Sequence, residues 1–93
     1  MNSIQLWAAV QQALTAGGDI PRPELSMWAT NSELLALDGE TFVLGFGSSF
    51  LCRRAEHRRA DLVREFSYLA GFSCDVEIVE TALWKEQHAQ GSA

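Results

Sequence analysis

A short turn sequence between two apolar runs is the feature that most constrains how this chain folds. The tripeptide Asp38-Gly39-Glu40 separates residues 34–37 from residues 41–46. Asp-Gly between apolar segments is a strong β-hairpin signal, because the tight turn needs backbone angles that these residues adopt readily. The second run is predicted to place alternate side chains on one buried face of a sheet. These side chains are Phe42, Leu44 and Phe46.

Two amphipathic segments precede the hairpin, and each has clear end signals. A first helix is predicted from Asn2 or Ser3, either of which can cap it, to Gly17-Gly18, where glycine closes a helix easily. A second, short helix is predicted over about residues 23–29, because proline favours a helix start. Apolar residues recur at spacings of three and four in both, which predicts one buried face for each helix. They are Ile4, Trp7, Val10 and Leu14 in the first helix, and Leu25 and Trp28 in the second.

A long helix and a third strand are predicted after the hairpin. The helix covers about residues 50–70, follows a serine cap and ends at Gly71. Its expected buried residues are Leu51, Ala55, Leu62, Phe66 and Leu69.

The third strand is predicted from a simple alternation, in which Cys74, Val76 and Ile78 are separated by Asp75 and Glu77. The element order is therefore α-α-β-β-α-β, an α+β fold with a three-stranded sheet and helices packed on one face. We expect one domain over residues 1–87, with at most a helical turn at 81–87. Residues 88–93 are predicted to be a frayed tail.

The composition of the 93 residues fits a single globular domain. No apolar run approaches the roughly 20 residues of a membrane span, and the start of the chain lacks a signal-peptide pattern. Cys52 and Cys74 are too few for a disulfide framework. They are expected to be buried thiols, and the chain is expected in the cytoplasm, with no membrane partner.

The charges are distributed unevenly along the chain. The net charge is −5, yet five of the seven basic residues lie between Arg53 and Arg64. Residues 51–65 carry five arginines against three carboxylates, a local charge of +2, so the remainder carries −7. Such a dipolar surface favours pairing with another protein or with a second copy of the chain.

Several motifs give the chain a resemblance to the N-terminal domain of the bacterial replication initiator DnaA. The similarity covers about residues 3–80, and its sharpest part is Leu6-Trp7 followed by Leu25-Ser26-Met27-Trp28. The remaining matches are Asp38-Gly39-Glu40, Thr41 to Gly45, Ser48-Ser49-Phe50, Gly71 and the acidic strand at 74–79. The chain also resembles two relatives, the C-terminal domain of the clamp-loader tau subunit and the helicase loader DciA.

The resemblance implies a KH-like domain that acts in DNA replication through protein contacts. It implies a weak homodimer, and contact with the replicative helicase or with another initiation or replisome protein. By position, Trp7 matches the residue used for self-association, and Glu24 and Phe50 match positions that contact the helicase. The family often carries an aromatic residue where this chain has Arg54. A tau-type domain that binds the replicative polymerase is an alternative.

The arginine cluster leaves a further alternative open, which is weak binding of single-stranded nucleic acid. Arg53, Arg54, Arg58 and Arg59 would contact the phosphates, although a solvated helix face is the simpler interpretation. A KH-type nucleic-acid site also needs a GXXG loop. The nearest glycine pair, Gly45-Phe46-Gly47, has the wrong spacing.

Catalysis has little support in the sequence. His57 and His88 are the only histidines, and no recognisable motif places a nucleophile or carboxylate beside either of them. Cys52 and His57 are five residues apart, which puts them on different sides of a helix. We therefore expect no enzyme activity, no metal site and no cofactor.

Overall fold

The computed structural model describes residues 2–91, which form five helices and three strands. The first helix is capped by Asn2, whose side chain accepts a hydrogen bond from the Gln5 amide. The elements in order are α1 Ser3–Gly17, α2 Arg22–Asn31, β1 Ser32–Asp38, β2 Thr41–Phe46, α3 Ser49–Glu56, α4 Arg59–Ala70, β3 Asp75–Glu80 and α5 Thr81–Gly91. No helix in this part of the chain is both long and apolar enough to cross a membrane.

The sheet has the order β1-β2-β3, with β2 in the centre. β1 pairs antiparallel with β2 through the predicted hairpin, whereas β3 pairs parallel with β2. A register shift between Leu34 and Ala36 interrupts the β1–β2 ladder. The predicted α+β fold with a three-stranded sheet and helices packed on one face is thereby confirmed.

Aromatic side chains fill the core between the helices and the sheet. Phe66 of α4 stacks on Trp7 of α1 at 5.8 Å between ring centroids and on Phe42 of β2 at 4.8 Å. Trp28 of α2 meets Phe46 of β2 edge-on at 5.6 Å. The rings therefore connect α1, α2, α4 and β2, and bury the apolar area that stabilises the domain.

A single serine joins α1, α2 and β1 by hydrogen bonds. The Trp7 Nε1–H donates to Ser32 Oγ at 2.9 Å, and the Ser32 hydroxyl in turn donates to the Trp28 carbonyl oxygen. Ser32 is the first residue of β1 and directly follows α2. It therefore satisfies the polar atom of a buried indole and fixes where α2 ends.

The prediction of one long helix over residues 50–70 is wrong, because the structure divides this segment into α3 and α4 at His57-Arg58. The Arg58 amide donates to the Ala55 carbonyl oxygen, and Arg58 leaves helical backbone geometry at φ −109° and ψ 12°. The neighbouring side chains then reach in different directions. Arg58 contacts Glu24 on α2, whereas Arg59 donates to the Val76 carbonyl oxygen on β3.

The C-terminal part differs from the predicted frayed tail. α5 begins directly after β3 and continues to Gly91, so residues 88–91 are helical, while 92–93 lie outside the described residues. Its start packs closely on Gly45, where a Cβ atom would lie 2.7 Å from Leu35 Cδ1 and closer still to Thr81 Oγ1. Lys85 pairs with Glu33 of β1 at 2.9 Å. The close approach at Gly45 therefore lets α5 begin against the sheet.

Candidate partner-binding surface

Two contacts connect α2 with the segment that contains α3. The Gly47 amide, just before α3, donates to the Asn31 carbonyl oxygen at the end of α2, at 2.8 Å. Glu24, near the start of α2, pairs with Arg54, near the end of α3, at 2.7 Å. The start of α2 therefore lies near the end of α3. We call the surface around these contacts the α2–α3 seam; its residues are Glu24, Met27, Phe50, Arg54 and Arg58.

Glu24 lies beneath the charged part of this seam. It is 4% exposed, and its Oε1 accepts from Arg54 Nε at 2.9 Å while its Oε2 accepts from Arg58 Nε at 2.9 Å. The side chains of Arg54 and Arg58 are 46% and 26% exposed. A partner can therefore reach the two guanidinium groups, which Glu24 holds in place, more readily than it can reach the carboxylate.

Two apolar side chains of the seam are exposed beside this ion-pair cluster. Phe50 is 53% exposed and lies one turn before Arg54, on the same side of α3. Met27 is 40% exposed and lies three residues after Glu24, on the same side of α2. Next to these exposed side chains, Leu25 and Trp28 of α2 and Leu51 and Ala55 of α3 are packed into the core. The seam therefore combines an apolar pair with two partly exposed cations.

The other arginines of the predicted cluster, Arg53 and Arg59, do not form one continuous cationic surface with Arg54 and Arg58. Arg59 pairs with Glu56 at 2.7 Å, lies 3.6 Å from Asp75, and ties the start of α4 to β3. The hydrogen bond to Glu56 is the main reason that the pKa of Arg59 is raised. Arg53 is exposed and has no ion pair among residues 2–91. The structure thus brings Arg54 and Arg58 together and directs Arg59 elsewhere.

The first turn of α1 exposes a different apolar residue from the one the sequence indicated. Trp7 is only 5% exposed and belongs to the core, whereas Ile4 is 80% exposed. The prediction that Ile4 shares the buried face of α1 is wrong, because Leu6 of the same turn packs against the core instead and leaves Ile4 at the edge of that face. A groove of about 400 Å³ runs beside Ile4 and is lined by residues of α1, α2 and β1. Ile4 is the large apolar side chain that α1 exposes to solvent.

The two thiols of the chain are not joined to each other. Cys52 and Cys74 are free thiols, and the described residues contain no group of three His, Cys, Asp or Glu side chains able to hold a metal ion. Burial, followed by the charges of Glu80 and Glu56, raises the pKa of the Cys52 thiol. The reactive thiolate form of Cys52 is therefore disfavoured.

The Glu24 cluster is the feature that sequence reasoning missed. Its one sequence signal is the four-residue spacing of Arg54 and Arg58, which places both side chains on one side of a helix. The spacing gives no indication that the carboxylate between them comes from α2.

Comparison with protein-family models finds no match for the chain, and a search of curated proteins finds no relative. The fold, the surfaces and the sequence motifs are therefore the features that bear on function.

Proposed function

We propose that this chain is a protein-interaction module of bacterial DNA replication, which self-associates weakly and contacts the replicative helicase or one of its regulators. The observation that carries the proposal is Phe50, a large aromatic side chain that is 53% exposed beside the Glu24 cluster. It occupies a position that the resemblance to the DnaA N-terminal domain assigns to helicase contact. We also infer a cytoplasmic location, which is supported by the two free thiols.

The physical basis of the proposed contact is the combination of an aromatic anchor with a fixed cation. Covering Phe50 removes apolar surface from water, which contributes on the order of 1–2 kcal/mol when a half-exposed aromatic side chain is buried. Arg54 is already held by Glu24, so it loses less side-chain freedom on binding than an unrestrained arginine does. Aromatic and arginine side chains are enriched among the residues that dominate interface energies.

Replacing Phe50 by alanine is expected to weaken helicase binding about tenfold or more, because the anchor of the seam is lost. The measurement is the Kd for purified replicative helicase on the immobilised chain, by surface plasmon resonance. Tyr68→Ala is the matched control, since Tyr68 is an aromatic residue of α4 that is 81% exposed and lies outside the seam. Equal losses in the two variants, or no loss with Phe50→Ala, would contradict the proposal.

Self-association is expected to depend on Ile4. Ile4→Ser removes the apolar side chain from an exposed first turn without opening the core, so the dimer fraction is expected to fall while the unfolding midpoint changes little. Sedimentation equilibrium over a concentration series measures the fraction, with Tyr68→Ser as the control. Trp7→Ala is less informative, because loss of a core ring would also unfold the domain. An unchanged dimer fraction with Ile4→Ser argues against this surface.

The two alternative functions, a tau-type domain and a single-stranded nucleic-acid binder, predict different partners. A tau-type domain would use the seam for the replicative polymerase, so exchanging helicase for polymerase in the same binding assay distinguishes it. Single-stranded nucleic-acid binding has less support, because Arg54, Arg58 and Arg59 are already paired with carboxylates. Such binding would fall steeply with salt in a gel-shift assay.

A further inference from the structure

A separate groove lies between α5 and the sheet. It has a volume of about 790 Å³ and is lined by strand residues that alternate with those of the core, such as Val43 and Val79. Leu83 and Trp84 of α5 form one wall. Leu83 in this wall is 54% exposed. The groove therefore offers apolar surface that the domain itself does not cover.

The charged residues that line this groove are all acidic. Asp38, Glu77 and Glu80 line it, no lysine or arginine does, and none of the three carboxylates has an ion-pair partner within residues 2–91. The charge of Glu77 also acts on Arg59, although the two make no direct ion pair. Carboxylates without a direct ion pair around an apolar surface favour a cationic partner, because complementary charges attract it and like charges repel others.

The chain's own cations are poorly suited to fill the groove from a second copy. Arg54, Arg58, Arg59, Arg64 and Lys85 all make ion pairs within the chain. Of the seven basic residues, only Arg22 and Arg53 have no ion pair among the described residues. In a second copy, these five cations are already partly neutralised by carboxylates of the same chain. The charge distribution therefore favours a different protein as the occupant.

Trp84 adds aromatic surface to the wall of the groove. Its ring stacks on His88 with 3.8 Å between centroids, and His88 Nδ1 lies 2.8 Å from the Trp84 carbonyl oxygen. Both residues line the groove. The wall thus supplies apolar contact beside the carboxylates.

We propose that this groove binds a cationic amphipathic segment of another protein. The apolar side chains of that segment would lie against Val79, Leu83 and Trp84, and its lysine or arginine side chains would face Asp38 and Glu77. The binding mode is that of an amphipathic segment in an apolar groove, with specificity from the acidic rim. The surface is distinct from the α2–α3 seam, so the two proposals can fail independently.

The test uses the full chain and a labelled peptide of about 14 residues with a leucine face and a lysine face, followed by fluorescence anisotropy. A peptide with glutamate in place of lysine is the control. The lysine peptide is expected to bind, and its Kd to rise about tenfold between about 50 and about 200 mM salt. The glutamate peptide is expected not to bind. Equal binding of both peptides, or no binding of either, overturns the proposal.

Two pairs of variants locate the binding. Glu77→Gln is expected to raise the Kd about fivefold, whereas Glu65→Gln, which removes the same charge from α4, leaves it unchanged. Leu83→Ser is expected to weaken binding, whereas Phe50→Ala in the seam does not affect it. Circular dichroism checks that each variant is folded. Equal effects of Glu77→Gln and Glu65→Gln would show non-specific attraction to an acidic protein and would overturn the proposal.

Discussion

Trp28→Ala is expected to lower the free energy of unfolding by about 4 kcal/mol, which is a large part of the stability of a domain this size. Trp28 is fully buried and contacts both Trp7, with 6.4 Å between ring centroids, and Phe46. Its removal opens a cavity where α2 meets the sheet. Urea denaturation followed by far-UV circular dichroism measures the loss. A change below about 1 kcal/mol would contradict the central place of Trp28 in the core.

Trp28→Phe is the matched control for this prediction. The Trp28 Nε1 is buried and has no hydrogen-bond acceptor in the described part of the chain. Phenylalanine keeps most of the ring and removes an unsatisfied donor, whose burial is unfavourable by about 1–3 kcal/mol. The smaller ring and the lost donor therefore have opposing effects on stability. We expect Trp28→Phe to be much milder than Trp28→Ala.

The combined change Arg54→Met and Arg58→Met is expected to lower the free energy of unfolding by about 3 kcal/mol, because it leaves the buried carboxylate of Glu24 without a cation. Both Glu24 oxygens lose charge-assisted hydrogen bonds. The expected loss of unfolding free energy lies at the lower end of the range for breaking a buried ion pair, because Arg54 is half-exposed. Urea denaturation at neutral pH measures it.

Adding Glu24→Met to this variant is expected to restore most of the lost stability. The third change replaces the unpaired carboxylate by an apolar side chain of similar size, which removes the unfavourable burial of a charge. All three positions then carry methionine. Comparing the triple variant with the double variant therefore separates the contribution of the ion pairs to stability from that of side-chain packing. A triple variant as unstable as the double variant would show that the arginines stabilise the domain by packing alone.

The parts of the fold that could be predicted from sequence depend on local signals. The turn at Asp38-Gly39-Glu40 and the alternation after it predict the hairpin, and β2 has the predicted bounds 41–46. Glycine ends α1 and α4 as expected, with Gly18 and Gly71 in the left-handed conformation at φ 73° and 83°. Such features depend on a few neighbouring residues, so the sequence is sufficient for them.

The parts that could not be predicted depend on contacts between distant residues. Apolar residues on both sides of residues 56–59 keep the same helical phase, so the spacing favours one helix; the break at 57–58 accompanies contacts of Arg58 with α2 and of Arg59 with β3. α5 is weakly amphipathic, and it begins against Gly45, a contact that sequence spacing does not reveal. Burial of Glu24 likewise requires that α2 lie within reach of Arg54 and Arg58.

The sequence motifs assign positions to the candidate site but do not predict the exposure of its side chains. Phe50 is expected to contact the helicase, and the structure leaves it half-exposed. Trp7 was expected to serve in packing, in self-association or in both, and its 5% exposure places it in the core. The exposure of a side chain at a helix start depends on which neighbouring element covers it, and sequence spacing does not contain that information.

The central claim is that the α2–α3 seam contacts the replicative helicase. Hydrogen–deuterium exchange of the chain, with and without saturating helicase, tests it most directly. We predict slower exchange of backbone amides in residues 24–31 and 48–56, with exchange in α5 unchanged, because a bound partner protects the segments it covers. Absence of a complex, or protection confined to β3 and α5, would contradict the claim.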